Sequence, residues 1–258
     1  MRKFLREETL SGIELKAPAE LARMRQAGRI VAGLLKLMEK EARAGVKTKT
    51  LDKIAEDFIR SQGGEPAFKG YHGFPASICA SVNEEVIHGI PGERVLKEGD
   101  IIGVDVGVKL GGYFSDAART FAIGAVDPES RRLMEVTRAA MLEGIRQAVA
   151  GNRVSDISWA VQSYAEQNGL SVVRQYVGHG IGRNLHEDPQ VPNFGKPHQG
   201  AKLVEGMALA IEPMLNLGTH EVQVLKDGWT VVTKDGKRSG HFEQTIFVGK
   251  NQAEVVTE

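Results

Sequence analysis

Glu98-Gly-Asp-Ile-Ile-Gly-Val-Asp105-Val-Gly-Val-Lys-Leu-Gly-Gly-Tyr-Phe-Ser-Asp116-Ala-Ala-Arg-Thr120 reads as a β-hairpin. Ile101 to Val108 is rich in β-branched residues, and Tyr113 to Ile123 resumes the strand pattern. Leu110-Gly111-Gly112 supplies the glycines that a tight turn needs. A Leu110-Gly111 loop sets Asp105 directly opposite Asp116, whereas a Gly111-Gly112 loop sets them one pair out of register. Side chains alternate faces with period two, so either loop leaves both acids on one face. Like charges facing each other across a ladder repel. An apolar hairpin holding such a pair needs a cation between the acids, or a shared proton, and the reading taken is a divalent metal site.

The rest of the chain suits a globular protein with a substantial core. It has 258 residues, 41% hydrophobic and 26% charged, ordinary values for a globular protein. Lys plus Arg equals Asp plus Glu at 33 each, which argues against nucleic acid as the main ligand. Cys79 is the single cysteine, so no internal disulfide forms, as expected in a reducing cytosol. The start, Met1 to Glu8, lacks the apolar core of a signal peptide. The apolar stretch Ile30 to Met38 is broken by Lys36 and too short to span a bilayer. A cytoplasmic protein without a membrane partner is expected.

Apolar residues from Leu21 to Met38 recur at helical spacing, which predicts a helix opening at Pro18 and ending before Gly45. A second helix is predicted over Thr50–Gln62, with Thr50 as its cap. A third starts at Asp127-Pro128, and a fourth, capped by Ser155 or Asp156, ends near Gly169. Strands are expected over Ser77–Val82, Ser171–Val177 and Met207–Leu215, the last carrying Glu212, and a final strand carries Glu243. Asp227-Gly228 and Asp235-Gly236 mark turns.

The two halves rhyme. Gly45 and Gly63 are spaced as Gly151 and Gly169 are, and Glu98-Gly99 precedes Asp105 as Glu205-Gly206 precedes Glu212. The fold class expected is α+β, with one domain over 1–258. It consists of duplicated pseudo-two-fold halves, about 14–125 and 126–250, joining their strands into a curved, mostly antiparallel sheet backed by helices. Acids at matching places then converge. Asp105, Asp116, His179, Glu212 and Glu243 are the candidate ligands. Four carboxylates around one dication leave the site negative, while two dications balance them. Two metals roughly 3.5–4 Å apart are a known hydrolytic device. Oxygen-rich ligation with one imidazole suits Mn, Fe(II), Co or Zn. The glycines flanking His179 suggest a close approach of backbone to a ligand.

Several segments together resemble methionine aminopeptidase, a metallopeptidase family of the pita-bread (creatinase/aminopeptidase) fold. They are Val-Asp105-Val-Gly, Phe-Ser-Asp116-Ala-Ala-Arg-Thr, Gly-His179-Gly-Ile-Gly, Ile-Glu212-Pro, Phe-Glu243-Gln-Thr-Ile and Asn83-Glu-Glu-Val-Ile-His88-Gly-Ile-Pro. The likeness runs from about residue 14 onward and is nearest to the bacterial type I form. It implies removal of the initiator methionine from nascent proteins and peptides with a small second residue.

The same resemblance implies roles. Asp105 would bind one metal, Asp116 and Glu243 would bridge the pair, and His179 and Glu212 would complete the other. Glu212 would also shuttle a proton, and His186 and His88 would contact the substrate at the scissile bond. Tyr71, Phe74, Cys79 and Trp229 would form the methionine pocket, with Phe68 and Leu185 at its rim. Asn83 and Ser239 would lie near a monovalent cation. Nascent chains beginning with Met are the expected partners of a monomeric enzyme associated with the ribosome. His72, His198, His220 and His241 are expected to be structural or exposed. A proline-specific peptidase of the same fold and a non-catalytic binding protein are the competing readings; the complete ligand set disfavours the second.

Overall fold

The computed structural model describes residues 12–258, and the charged stretch Met1 to Glu8 lies outside them. Four helices form where the apolar stripes are: α1 (Pro18–Glu41), α2 (Thr48–Ser61), α3 (Pro128–Gln147) and α4 (Val154–Gln167). Proline opens α1 and α3, where its missing N–H costs nothing. Asp127 caps α3 as expected, accepting from the Ser130 backbone N–H at 2.9 Å.

The caps of the shorter helices differ from expectation. α2 starts at Thr48, two residues before Thr50, with Lys47 at the cap position, because Thr48 exchanges hydrogen bonds with the Gly92 backbone; Thr50 is not its cap. α4 is preceded by Arg153, whose backbone N–H donates to Asp156 Oδ2 at 2.8 Å, while the Ser155 hydroxyl donates to Gln199 O. The acid therefore acts from inside the first turn.

The strands are β1 (Glu65–Pro66), β2 (Ile78–Val82), β3 (Glu85–Ile87), β4 (Ile101–Leu110), β5 (Tyr113–Ala122), β6 (Ser171–Val172), β7 (Gly178–Gly180), β8 (Glu187–Val191), β9 (Ala208–Ile211), β10 (Met214–Asn216), β11 (Val222–Val224), β12 (Val231–Thr233), β13 (Ser239–His241), β14 (Gln244–Phe247) and β15 (Glu254–Val255). All their pairings are antiparallel. Hydrogen bonding groups them as β1–β4–β2 with β5 on β4, β13–β10–β6, β11–β12–β3, and β15–β14–β9–β7–β8. The strand expected over Ser171–Val177 is confined to β6, and the chain becomes extended again only at β7.

The β4–β5 hairpin uses the Gly111-Gly112 loop. Leu110 pairs with Tyr113, and both glycines have positive φ, 57° and 84°, as a two-residue turn of matching twist requires. Asp105 thus faces Ala118 and Asp116 faces Gly107, so the acids are diagonal neighbours on one face.

The opposite face of β4 carries Val104, Val106 and Val108, which are buried with Leu34, Leu35 and Met38 of α1 and Leu51 and Ile59 of α2. In the second half, Met141 and Ile145 of α3 and Ile157 of α4 pack with Leu209, Ile211 and Ile246. The halves thus repeat one device, helices on the outer face and acids on the inner. The glycines that punctuate them match in backbone too: φ is 89° and 108° at Gly45 and Gly151, and 77° and 68° at Gly63 and Gly169. A Leu35→Ala variant is expected to lose about 2–5 kcal/mol, read from its urea midpoint, because the rigid surround of a fully buried leucine closes poorly over the cavity.

The halves are joined at the centre by three sets of bonds. Glu243 N–H donates to Ala118 O at 2.9 Å. Asp116 N–H donates to Thr245 Oγ1 at 3.1 Å. Thr120 Oγ1 donates to His241 O at 2.8 Å and accepts from His241 N–H at 2.9 Å.

Candidate metal centre

Five chain segments deliver side chains to one cavity of about 340 Å³. Asp105 and Asp116 come from β4 and β5, and His179 from β7. Glu212 and Glu243 come from two breaks in the strands, where unbroken strands were expected. Pro213 has no N–H to continue a ladder, so β9 and β10 part at Glu212-Pro213. Ile211 pairs with Gln244 and Met214 with His241, so in that shared register Glu212 stands opposite Glu243. The second half thus holds its acids face to face, and the first holds them diagonally.

The glycines beside His179 have a use within the sheet itself. A Cβ on Gly178 would stand 2.3 Å from Ala210 O, and one on Gly180 would stand 2.2 Å from Asp188 O. They let β7 nestle between β8 and β9, a close approach of neighbouring strands. His179 Nδ1–H donates to Gly180 O at 2.9 Å. That bond fixes the tautomer and leaves the Nε2 lone pair facing the acids, as a metal-ligating histidine requires. His179 Nε2 lies 3.6 Å from Asp116 Oδ2 and 3.5 Å from Glu212 Oε1. Ligand atoms of Asp116, His179 and Glu243 all lie within 4.8 Å of one another, a metal-binding cluster.

Without a cation this site is electrostatically frustrated. Burial, reinforced by the neighbouring acids, holds the carboxyls of Asp105, Glu212 and Glu243 well above the usual range. Asp116 is pushed up to about 6 by burial, against the favourable bond from Thr245 Oγ1, 2.9 Å from Oδ1. Burial lowers His179 to about 4, so its imidazole is neutral and free to ligate. Asp105 Oδ1 is buried with no hydrogen-bond partner. An orphaned carboxylate oxygen among buried acids is the arrangement that oxygen-seeking dications complete, so the donor set fits the metal implied.

The sequence-derived pocket residues line the same cavity: Phe68, Tyr71, Phe74, Cys79, Leu185 and Trp229, with His88 and His186. Phe74 and Trp229 meet edge to face at 5.1 Å. The turn at Asp227-Gly228 presents Trp229, whose backbone N–H donates to Asp227 Oδ1 at 2.9 Å. Cys79 pairs with Asp105 across β2–β4, which sets the thiol on the cavity wall beside that acid. Burial pushes the thiol well up, so it is a neutral wall residue. Tyr71 Oη lies 2.7 Å from His186 Nδ1, and the His179 and His186 rings are 4.3 Å apart. His88 has φ 59°, a costly left-handed conformation for a non-glycine residue, and burial lowers it to about 4. Asn83 and Ser239 also meet, Ser239 N–H donating to Asn83 O at 2.9 Å.

Four residues near the site escaped the sequence reading. His72 and Tyr176 line the cavity, Tyr176 with its ring 5.7 Å from that of His88. Thr245 orients Asp116, and its position two residues after Glu243 on a strand was the available signal. His241 is buried beside Glu212, with Nε2 3.8 Å from Oε2. Its position two residues before Glu243 carried the same signal. Among the described residues, no helix is long and apolar enough to cross a membrane.

Comparison with known proteins agrees with this geometry. The model of metallopeptidase family M24 matches residues 22–250. The methionine aminopeptidase of Clostridium acetobutylicum is 54% identical over 246 residues, covering 95% of this chain and 98% of that protein. Methionine aminopeptidase 1 of Bacillus subtilis is 52% identical, covering 94% and 98%. The crystal structure of methionine aminopeptidase from Thermotoga maritima superposes with a TM-score of 0.94 at 44% identity, covering 95% and 99%. A matching family model over most of the chain, and relatives about half identical along almost their whole length, show that this chain belongs to metallopeptidase family M24 and, within it, to the methionine aminopeptidases.

Proposed function

We propose that the protein removes N-terminal methionine from peptides and nascent chains, with two divalent ions in the carboxylate–histidine cluster. The observation that carries this is one cavity in which four acids, Asp116 and Glu243 buried and Asp105 and Glu212 half-buried, and a neutral histidine adjoin a sulfur- and aromatic-lined wall. Asp105 would hold one ion, His179 and Glu212 the other, with Asp116 and Glu243 shared between them. Such ions supply Lewis acidity and an acidified water as nucleophile near neutral pH.

The chain's own residues do the rest. Glu212 accepts the proton of the attacking water and delivers it to the leaving amine. Tyr71 Oη lies 2.7 Å from His186 Nδ1; with the Tyr71 hydroxyl as the donor there, His186 would turn an Nε2–H toward the oxyanion of the tetrahedral intermediate. His88 contacts the amide of the next residue. Phe68, Tyr71, Phe74, Cys79, Leu185 and Trp229 enclose the first side chain, and ring edges beside sulfur suit a thioether. A small second residue is preferred. Residues 14–125 and 126–250 act as the two halves of one domain, each contributing ligands.

Incubation of metal-loaded protein with Met-Ala-Ser and Ala-Pro peptides tests this. Release of methionine from the first, stopped by chelator, is expected. Cleavage before proline alone would replace the reading with that of a proline-specific peptidase. No cleavage with any of Mn, Fe(II), Co or Zn would leave a binding protein.

A further inference from the structure

Behind Glu212 lies a group that the proposed reaction does not use. His241 ends β13 and is 3% exposed. Its main chain is fastened on both sides to Thr120 Oγ1, in the other half of the molecule. Its Nε2 is buried and has no hydrogen-bond partner. Buried polar atoms are almost always paired, so an orphaned imidazole nitrogen beside a candidate ligand calls for a partner.

The nearest acidic atom is Glu212 Oε2, at 3.8 Å, too far for a hydrogen bond. The other oxygen of that carboxylate, Oε1, faces His179 Nε2 at 3.5 Å. Glu212 is therefore bracketed, His179 and the cluster on one side and His241 on the other. A shift of about 1 Å brings Oε2 into bonding range of His241. Beside a carboxylate the Nε2–H tautomer is favoured, which makes His241 a donor.

We propose that His241 is a positioning residue for Glu212: its Nε2–H binds Oε2 when metal is held, and so turns Oε1 toward the cluster. The inference rests on the reading of Glu212 as ligand and proton carrier. It gives the buried imidazole a function that packing alone does not require. Outer hydrogen bonds to ligating carboxylates are typically worth about 10–100-fold in affinity or rate.

Two variants separate this from a packing role. His241→Leu fills the space without a donor, and His241→Gln places an amide N–H near the same point. With His241→Leu, kcat on Met-Ala-Ser should fall about 10–100-fold with KM within about twofold, and Mn affinity by calorimetry should fall about 10-fold or more. His241→Gln should restore both to within about threefold of wild type. Melting temperatures in chelator identify any loss of fold. Wild-type kcat and Mn affinity in a folded His241→Leu variant would overturn the proposal, as would a folded His241→Gln variant as impaired as His241→Leu. Should the wild-type protein bind Mn yet release no methionine, the functional reading fails, and the Mn titrations alone decide the role of His241.

Discussion

Asparagine in place of Asp116 is expected to lower kcat/KM for methionine release by about 10³-fold or more. The substitution keeps the shape of the side chain and an oxygen for the Thr245 hydroxyl, which donates to Oδ1 at 2.9 Å. It removes a negative charge at the meeting point of the halves, where Oδ2 lies 3.6 Å from His179 Nε2. An amide also brings N–H donors into a site built of acceptors, and a cation cannot use them. Stability should move the other way. Burial already holds the Asp116 carboxyl up to about 6, so in chelator at pH 7.5 the neutral asparagine relieves strain among the acids. The signature is thus a protein that melts at or above the wild-type temperature without metal, gains little from added metal and scarcely turns over. Wild-type turnover with undiminished metal content would remove Asp116 from the centre.

The second large effect is the dependence of stability on metal and pH together. The carboxyls of Asp105, Glu212 and Glu243 are all raised well above their ordinary range, and Asp116 is raised to about 6. A raised carboxyl binds its proton more tightly in the folded state than in the unfolded chain. Between the two pKa values the folded protein therefore holds more protons, and stability falls as pH rises. For Asp116 this window runs from its ordinary value near 3.8 to about 6. Chelated protein should accordingly lose melting temperature across that window, and lose more above it as the other acids ionise. Added Mn reverses the trend, because the cation replaces the protons that the acids would otherwise keep. At a free Mn concentration about 1,000 times Kd the gain is roughly 4 kcal/mol, about 10 °C for a chain of this size. Binding at pH 7 should release protons, seen as a calorimetric heat that varies with the buffer. A metal-induced gain that is the same at pH 5 and pH 8 would contradict the raised carboxyls.

The site was more legible in the sequence than the fold around it. Asp105 and Asp116 were readable because period-two alternation places them on one face whichever loop is used. The loop choice itself was not readable, since either dipeptide supplies a glycine; the positive φ at both Gly111 and Gly112 settles it. Glu212 and Glu243 were placed within unbroken strands, because nothing in their apolar neighbours marks the break at Pro213 as opening onto a cavity. Helix ends were misjudged where a side chain had a distant partner, as Thr48 has in Gly92. His241 was passed over because its importance depends on a carboxylate 29 positions earlier that the ladder brings alongside, a proximity invisible to local spacing.

Glu243 is the last of these acids along the chain, and its N–H is tied to Ala118 in the first half. A growing polypeptide therefore has no complete hydrolytic centre until β14 emerges and docks. Earlier intermediates hold at most a subset of the acids and lack the full ligand set. Proteolytic activity is thus withheld until the molecule has finished folding.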